Sequence, residues 1–163
     1  MNYQDKRTKI GRSPYSLEMK WGLWLDKHII LYYFLLFTWG ILESMAAFFV
    51  MLFMLATGHR SHKNHRGIYF IFGDNWGGFS ISFIQVIVNN MDEYWAKHTK
   101  AHECGHSYQV CLFGPFWVLL VAIPSQVRRF IDLYQQKHHL QRIDYDLAWF
   151  EGSATGLETE VCK

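Results

Sequence analysis

The feature that most constrains this chain is an apolar run at residues 29–57. It reads IILYYFLLFTWGILESMAAFFVMLFMLAT, 29 residues with a single charge, Glu43, near the midpoint. About 20 apolar residues cross a hydrocarbon core, so one long tilted helix fits with length to spare. A hairpin bent near Gly40 to Ser44 is the alternative. Each of its arms would rise about 21 Å as helix, short of the roughly 30 Å core, making it re-entrant or confined to one leaflet. Lys20 and Lys27 precede the run and Arg60, Lys63 and Arg66 follow it. Charge therefore does not orient a single span, while it suits a hairpin with both ends inside. The run is too long for a signal peptide and lacks a small-residue cleavage site. A buried pair of soluble helices is the competing reading. Glu43 would be costly in lipid, so it is expected to face protein or the interface.

Composition agrees with a chain that meets lipid or buries an unusual amount. Half the residues are apolar, 18% are aromatic and 18% are charged, against about a quarter charged in an ordinary soluble domain. The length, 163 residues, suits one domain. A net charge of +2 makes no case for nucleic acid. Three segments are expected: a basic stretch at 1–28, a transmembrane or re-entrant segment at 29–57, and a metal-binding domain at 58–163. The first mixes Lys6, Arg7, Lys9, Arg12, Lys20 and Lys27 with Tyr15, Trp21 and Trp24, as befits chain just outside a bilayer. Ser13-Pro14 breaks any early helix.

The third segment predicts an α+β fold. His59, His62 and His65 lie in basic, glycine-flanked chain and read as a solvated loop. Residues 68–72 and 79–88 are β-prone and flank a glycine-rich turn, which predicts two short antiparallel strands. A helix is expected at 92–113, stopped by Gly114-Pro115. Residues 116–123 form a second apolar run, too short to span and expected to be buried or interfacial. An amphipathic helix over 126–138 places Val127, Phe130, Ile131 and Tyr134 on one face. A last helix is expected at 144–158.

The 92–113 helix carries His102-Glu103-Cys104-Gly105-His106, an HExxH motif. Residues i and i+4 share a helix face, so both imidazoles can close on one zinc ion, with Glu103 placed to act on water as general base. Catalytic zinc takes a third protein ligand and leaves one position open. Gln109 and Leu112 stand where the metzincin continuation would need glycine and histidine. The acids further on are Asp132, Asp144, Asp146, Glu151, Glu158 and Glu160, and the histidines His138 and His139. Glu151 is preferred over Glu158, because Gly152, Ser153 and Ala154 would let its helix approach the HExxH helix. His98, one turn before His102, is expected on the helix surface. Tyr134, His139 and Tyr145 are unranked candidates for an oxyanion donor.

The cysteines are Cys104, Cys111 and Cys162. The first two would lie about 10 Å apart on one helix, beyond disulfide reach. Cys162 is penultimate and is given no role. All three are expected reduced, which favours a domain facing the cytoplasm.

Four motifs in order, GDNWGGFSIS, HTKAHECGHSYQVCLFGPFWVLL, the following VAIPSQVRRF and DYDLAWFEGSATGLE, resemble a family of small bacterial membrane-associated zinc metallopeptidases. The resemblance covers roughly residues 68–158. It implies a zincin-like domain, a gluzincin-type site with Glu151 as third zinc ligand, and a Zn2+ cofactor. Cys104 departs from it, an aromatic being commoner there. The expected function is hydrolysis of a peptide or protein substrate at the membrane by zinc-activated water, with Glu103 as base. The alternatives are a non-catalytic membrane protein with a structural zinc site that acts through partner binding, and hydrolysis of a non-peptide amide or lipid-linked substrate. An extended substrate is expected to pair with the strand at 79–88.

Overall fold

A computed structural model describes residues 17–74, 77–89, 92–141 and 147–162, without the side chains of 159 and 160. Residues 1–16, and with them Ser13-Pro14 and four of the early lysines and arginines, lie outside the described residues. So do Asn75, Trp76, Asn90, Met91 and residues 142–146. The described chain is α+β. Helices α1 (Leu17–Asp26), α2 (Ile29–Thr38) and α3 (Ile41–Ala56) lead into strands β1 (His62–Lys63), β2 (Ile68–Ile71), β3 (Gly78–Ile81) and β4 (Ile84–Ile87). Helix α4 (Glu93–Phe113) follows, then a 3-10 turn (Gly114–Phe116), a π-helical segment (Val118–Ala122), α5 (Ile123–Lys137) and α6 (Trp149–Glu160).

The long apolar run is not one helix. It breaks at Trp39-Gly40, where α2 and α3 meet at 87°. The sequence allowed a continuous helix because nothing in it forbids one; tertiary contacts make the break. A Cβ on Gly40 would stand 2.6 Å from Val110 Cγ1, so the bend seats directly on α4. The Leu36 carbonyl freed by the break accepts from Ser44 Oγ at 2.7 Å, and that hydroxyl also meets Ser82 Oγ at 2.8 Å. A buried carbonyl without such a partner would be costly. No single helix among the described residues is long and apolar enough to cross a membrane. A second bent apolar pair, α4 with its 3-10 extension against the π segment and α5, turns through 117°.

The sheet corrects the strand reading. Its order is β1-β2-β4-β3, and β2 runs parallel to β4, not antiparallel. The β-prone stretch 79–88 is two strands, not one. Ser82, with φ +53°, turns the chain so that β3 folds back antiparallel on β4. Alternation alone does not reveal such a turn when the turn residues, Ser82 and Phe83, are themselves compatible with strand. His62 belongs to β1 and stacks on Tyr69, His65 bonds Asp26 at 2.9 Å, and His59 meets Thr57 Oγ1 at 2.9 Å, so all three loop histidines have partners.

Two apolar cores hold these elements. One gathers Leu25, Tyr32, Leu36, Tyr108, Val110 and Leu157 from α1, α2, α4 and α6. The other packs Ala47 and Met54 of α3 on Phe70, Ile84 and Val86 of the sheet. At the end of α1, Asp26 accepts from Arg66 at 2.7 Å and from Tyr108 of the first core at 2.7 Å. Outside the cores, apolar side chains face outward along both bent pairs. Ile30, Phe49 and Phe53 are exposed on the first, and Leu119 and Phe130 on the second. The apolar face of α5 is thus turned away from the protein, with no residue of that helix buried.

Candidate metal centre

Helix α4 begins where Asp92 accepts from the Trp95 amide at 2.8 Å, a side-chain cap that fixes the start of the helix. Its HExxH face meets α6 in antiparallel order. His98 pairs with Glu158, His102 with Glu151 and Thr155, Gly105 with Ala154, and Gln109 with Ser153. A residue advance on one helix is matched by a retreat on the other. Close contact at Gly105, where a side chain would collide with the Ala154 backbone, brings the two polar faces within reach.

His102, His106 and Glu151 offer ligand atoms that all lie within 4.8 Å of one another, the three residues that the sequence pointed to. His102 Nε2 is 3.0 Å from Glu151 Oε2, and His106 Nε2 is 3.5 Å from the same oxygen. Two imidazole nitrogens and one carboxylate form a donor set suited to zinc. The far sides of both rings are held. His106 Nδ1 meets Gln109 Oε1 at 2.7 Å, while the Gln109 amide nitrogen donates to Phe150 O and Ser153 Oγ at 2.7 Å each. The Gln109 oxygen must therefore accept, so His106 Nδ1 donates to it. His102 Nδ1 meets Thr155 Oγ1 at 3.0 Å. The residues present fit a zinc ion.

Charge is tightly coupled here. Burial alone would lower the His102 pKa, but its bond to Glu151 and the negative charges of Glu151, Glu103 and Glu158 raise it to about 9. Burial would raise Glu151, but bonds from His102 and His106, together with their charges, hold its carboxyl far below the usual range. His102 and Glu151 thus form a buried, hydrogen-bonded pair of opposite charge.

Glu103 is buried beside the ligands, and its Oε2 accepts from Ser80 Oγ of β3 at 2.8 Å. A cavity of about 420 Å³ runs over the ligands. All of β3 lines it, as do His102, Glu103, His106 and Glu151, with Leu42, Glu43 and Ala46 of α3 and Pro115, Trp117, Val118 and Val121 from the bend after α4. Trp117 is buried, and its Nε1 has no hydrogen-bond partner among the described residues.

Other expectations fare differently. Glu158 engages His98 and not the ligand cluster, and His98 is a part-buried partner instead of a free surface residue. Tyr134 and His139 are exposed and do not line the cavity; Tyr145 lies outside the described residues. Cys104 and Cys162 form a disulfide with Cα atoms 6.1 Å apart, correcting the expectation that all three cysteines are reduced. Their separation of 58 residues hid the pair, which exists because α6 returns along α4. Cys111 alone is free, and buried. Disulfides persist in oxidising compartments, so the thiols lend no support to a cytoplasm-facing domain. Sequence reasoning missed Gln109, Ser80, Thr155 and Trp117. Gln109 was the most accessible of them, since it lies three residues after His106 on the same helix face.

Comparison with protein-family models, with curated proteins and with solved structures gave no match.

Proposed function

We propose that this chain is a membrane-associated zinc peptidase of gluzincin type. The observation that carries the reading is that Glu103, held by Ser80, shares one cavity with the three convergent ligand residues. His102, His106 and Glu151 would hold the zinc. Bound there, zinc supplies Lewis-acid polarisation of a carbonyl and a lowered pKa for water. The protein's own groups account for the rest. Ser80 orients the Glu103 carboxylate, leaving Oε1 to accept a proton from water and return it to a leaving amine. Trp117 Nε1–H is a buried donor with no internal partner and is assigned to the carbonyl oxygen as it gains charge. β3 is the last strand of the sheet among the described residues and lines the cavity throughout, so its outer side suits an extended peptide.

Membrane association rests on the outward apolar faces of the two bent helix pairs, an amount of exposed apolar surface that soluble monomers rarely carry. Release of the protein from membranes by carbonate or high salt alone would count against it. The peptidase reading is tested by Glu103→Gln. This variant should keep zinc and fold while peptide cleavage falls to background. Zinc-loaded wild type that cleaves nothing in a broad peptide library would return the site to a structural role in partner binding.

A further inference from the structure

Glu43 sits where α3 lines the cavity, 3% exposed, and neither carboxylate oxygen has a side-chain hydrogen-bond partner among the described residues. Its neighbour Ser44 is fully engaged in closing the bend, with Leu36 and Ser82. The contrast is informative: the bend satisfies its own polar groups and leaves this one over. A buried carboxylate without a partner is among the least favourable groups a protein can hold. Where such a group borders a cavity, the missing partner is most simply the occupant. The cavity wall is mixed: Leu42, Ala46 and Val121 are apolar, while Ser125, Gln126 and Arg129 also line it. Among the described residues none of these groups, Arg129 included, reaches the Glu43 carboxylate with a hydrogen bond, and burial strengthens any charge pair formed there.

We propose that Glu43 is a specificity-determining residue that pairs with an ammonium group of the substrate. This rests on reading the cavity as a substrate cleft. The ammonium is either a peptide α-amine or a lysine side chain, which share this chemistry. Met, Leu or Gln at position 43 would line the cavity equally well in shape. The carboxylate is distinguished only by its charge.

The test reads binding and not turnover. The full chain, labelled with carbon-13 at glutamate carboxyls and held in detergent micelles near neutral pH, is titrated with three probes. Leucinamide carries a free α-ammonium, acetyl-lysine methylamide a side-chain ammonium, and acetyl-norleucine methylamide no charge. Glu43 is identified as the resonance lost in Glu43→Gln. At least one cationic probe should move that resonance saturably and bind about tenfold more tightly than the neutral probe. The probe that does so names the source of the ammonium. In Glu43→Gln the preference should shrink to about twofold or less. If Glu43→Gln does not fold, Glu43→Asp provides the assignment and the wild-type titration decides. Equal binding of all three probes, an unmoved Glu43 resonance at saturation, or a preference that survives in Glu43→Gln would each overturn the proposal. A protein that shows the preference yet never hydrolyses a peptide would refute the peptidase reading alone.

Discussion

Gly105 lies so close to Ala154 that a Cβ on the glycine would stand 2.5 Å from the Ala154 carbonyl oxygen and 2.9 Å from its Cα. Both neighbours are backbone, so no side-chain rotation relieves the clash. This one approach sets the distance between α4, which carries His102 and His106, and α6, which carries Glu151. Gly105→Ala should destabilise the fold by about 1–3 kcal/mol. It should also weaken zinc retention more than an equally destabilising change in the α3–sheet core, such as Val86→Ala. Denaturation read together with metal content separates the two effects. Unchanged zinc affinity in Gly105→Ala would show that the helices can part without disturbing the ligands.

Proton release should accompany zinc uptake. The His102 pKa in the metal-free fold is about 9, above the ordinary 6.5. Its pairing with Glu151 therefore stabilises the protein fully between the ordinary carboxylate value of 4.5 and about pH 6.5, and fades as pH rises through 9. Zinc needs the neutral imidazole, so its affinity should climb over the same interval while the metal-free fold weakens. Calorimetry in buffers of different ionisation heat should find about one proton released per ion near neutrality. Heats independent of buffer would contradict the charged state of His102.

The Cys104–Cys162 disulfide joins the centre of the HExxH motif to the end of α6. Its reduction, or Cys104→Ser, should lower stability by about 2–4 kcal/mol through the freedom returned to the unfolded chain. Because the bond ties α4 to the chain two residues beyond α6, zinc retention should fall as well. Alkylation of the denatured protein without reductant should label Cys111 alone. Labelling of all three thiols in freshly isolated protein would mean that the bond is not formed.

Trp117 is testable through the separation of kcat from zinc binding. Trp117→Phe keeps most of the ring and removes the Nε1–H donor. On the assignment above, kcat should fall about 100-fold with zinc content intact. A change confined to KM would move Trp117 from the carbonyl to general substrate contact.

The cluster that could hold a metal was legible in the sequence because it depends on local periodicity. His102, Glu103 and His106 follow from 3.6 residues per turn, and Glu151 from the small residues that let a helix come close. The HExxH helix and its stop at Gly114 were legible for the same reason. The supporting shell was less so. Ser80 reaches Glu103 only because β3 lies over α4, and no spacing in the sequence records that. The parallel pairing of β2 with β4, the turn at Ser82-Phe83 and the Cys104–Cys162 bond are likewise contacts between distant segments.

The apolar run shows the division most clearly. Its composition determined that residues 29–57 would be helical and would leave apolar surface to be covered. Composition did not determine where the helix ends, because each residue of the run is compatible with helix in isolation. The break at Trp39-Gly40 was decided by the Val110 side chain against Gly40 and by Ser44 taking up the Leu36 carbonyl. Local propensity is a sum over neighbours in sequence. A bend, a disulfide or a carboxylate left without a partner is settled by neighbours in space.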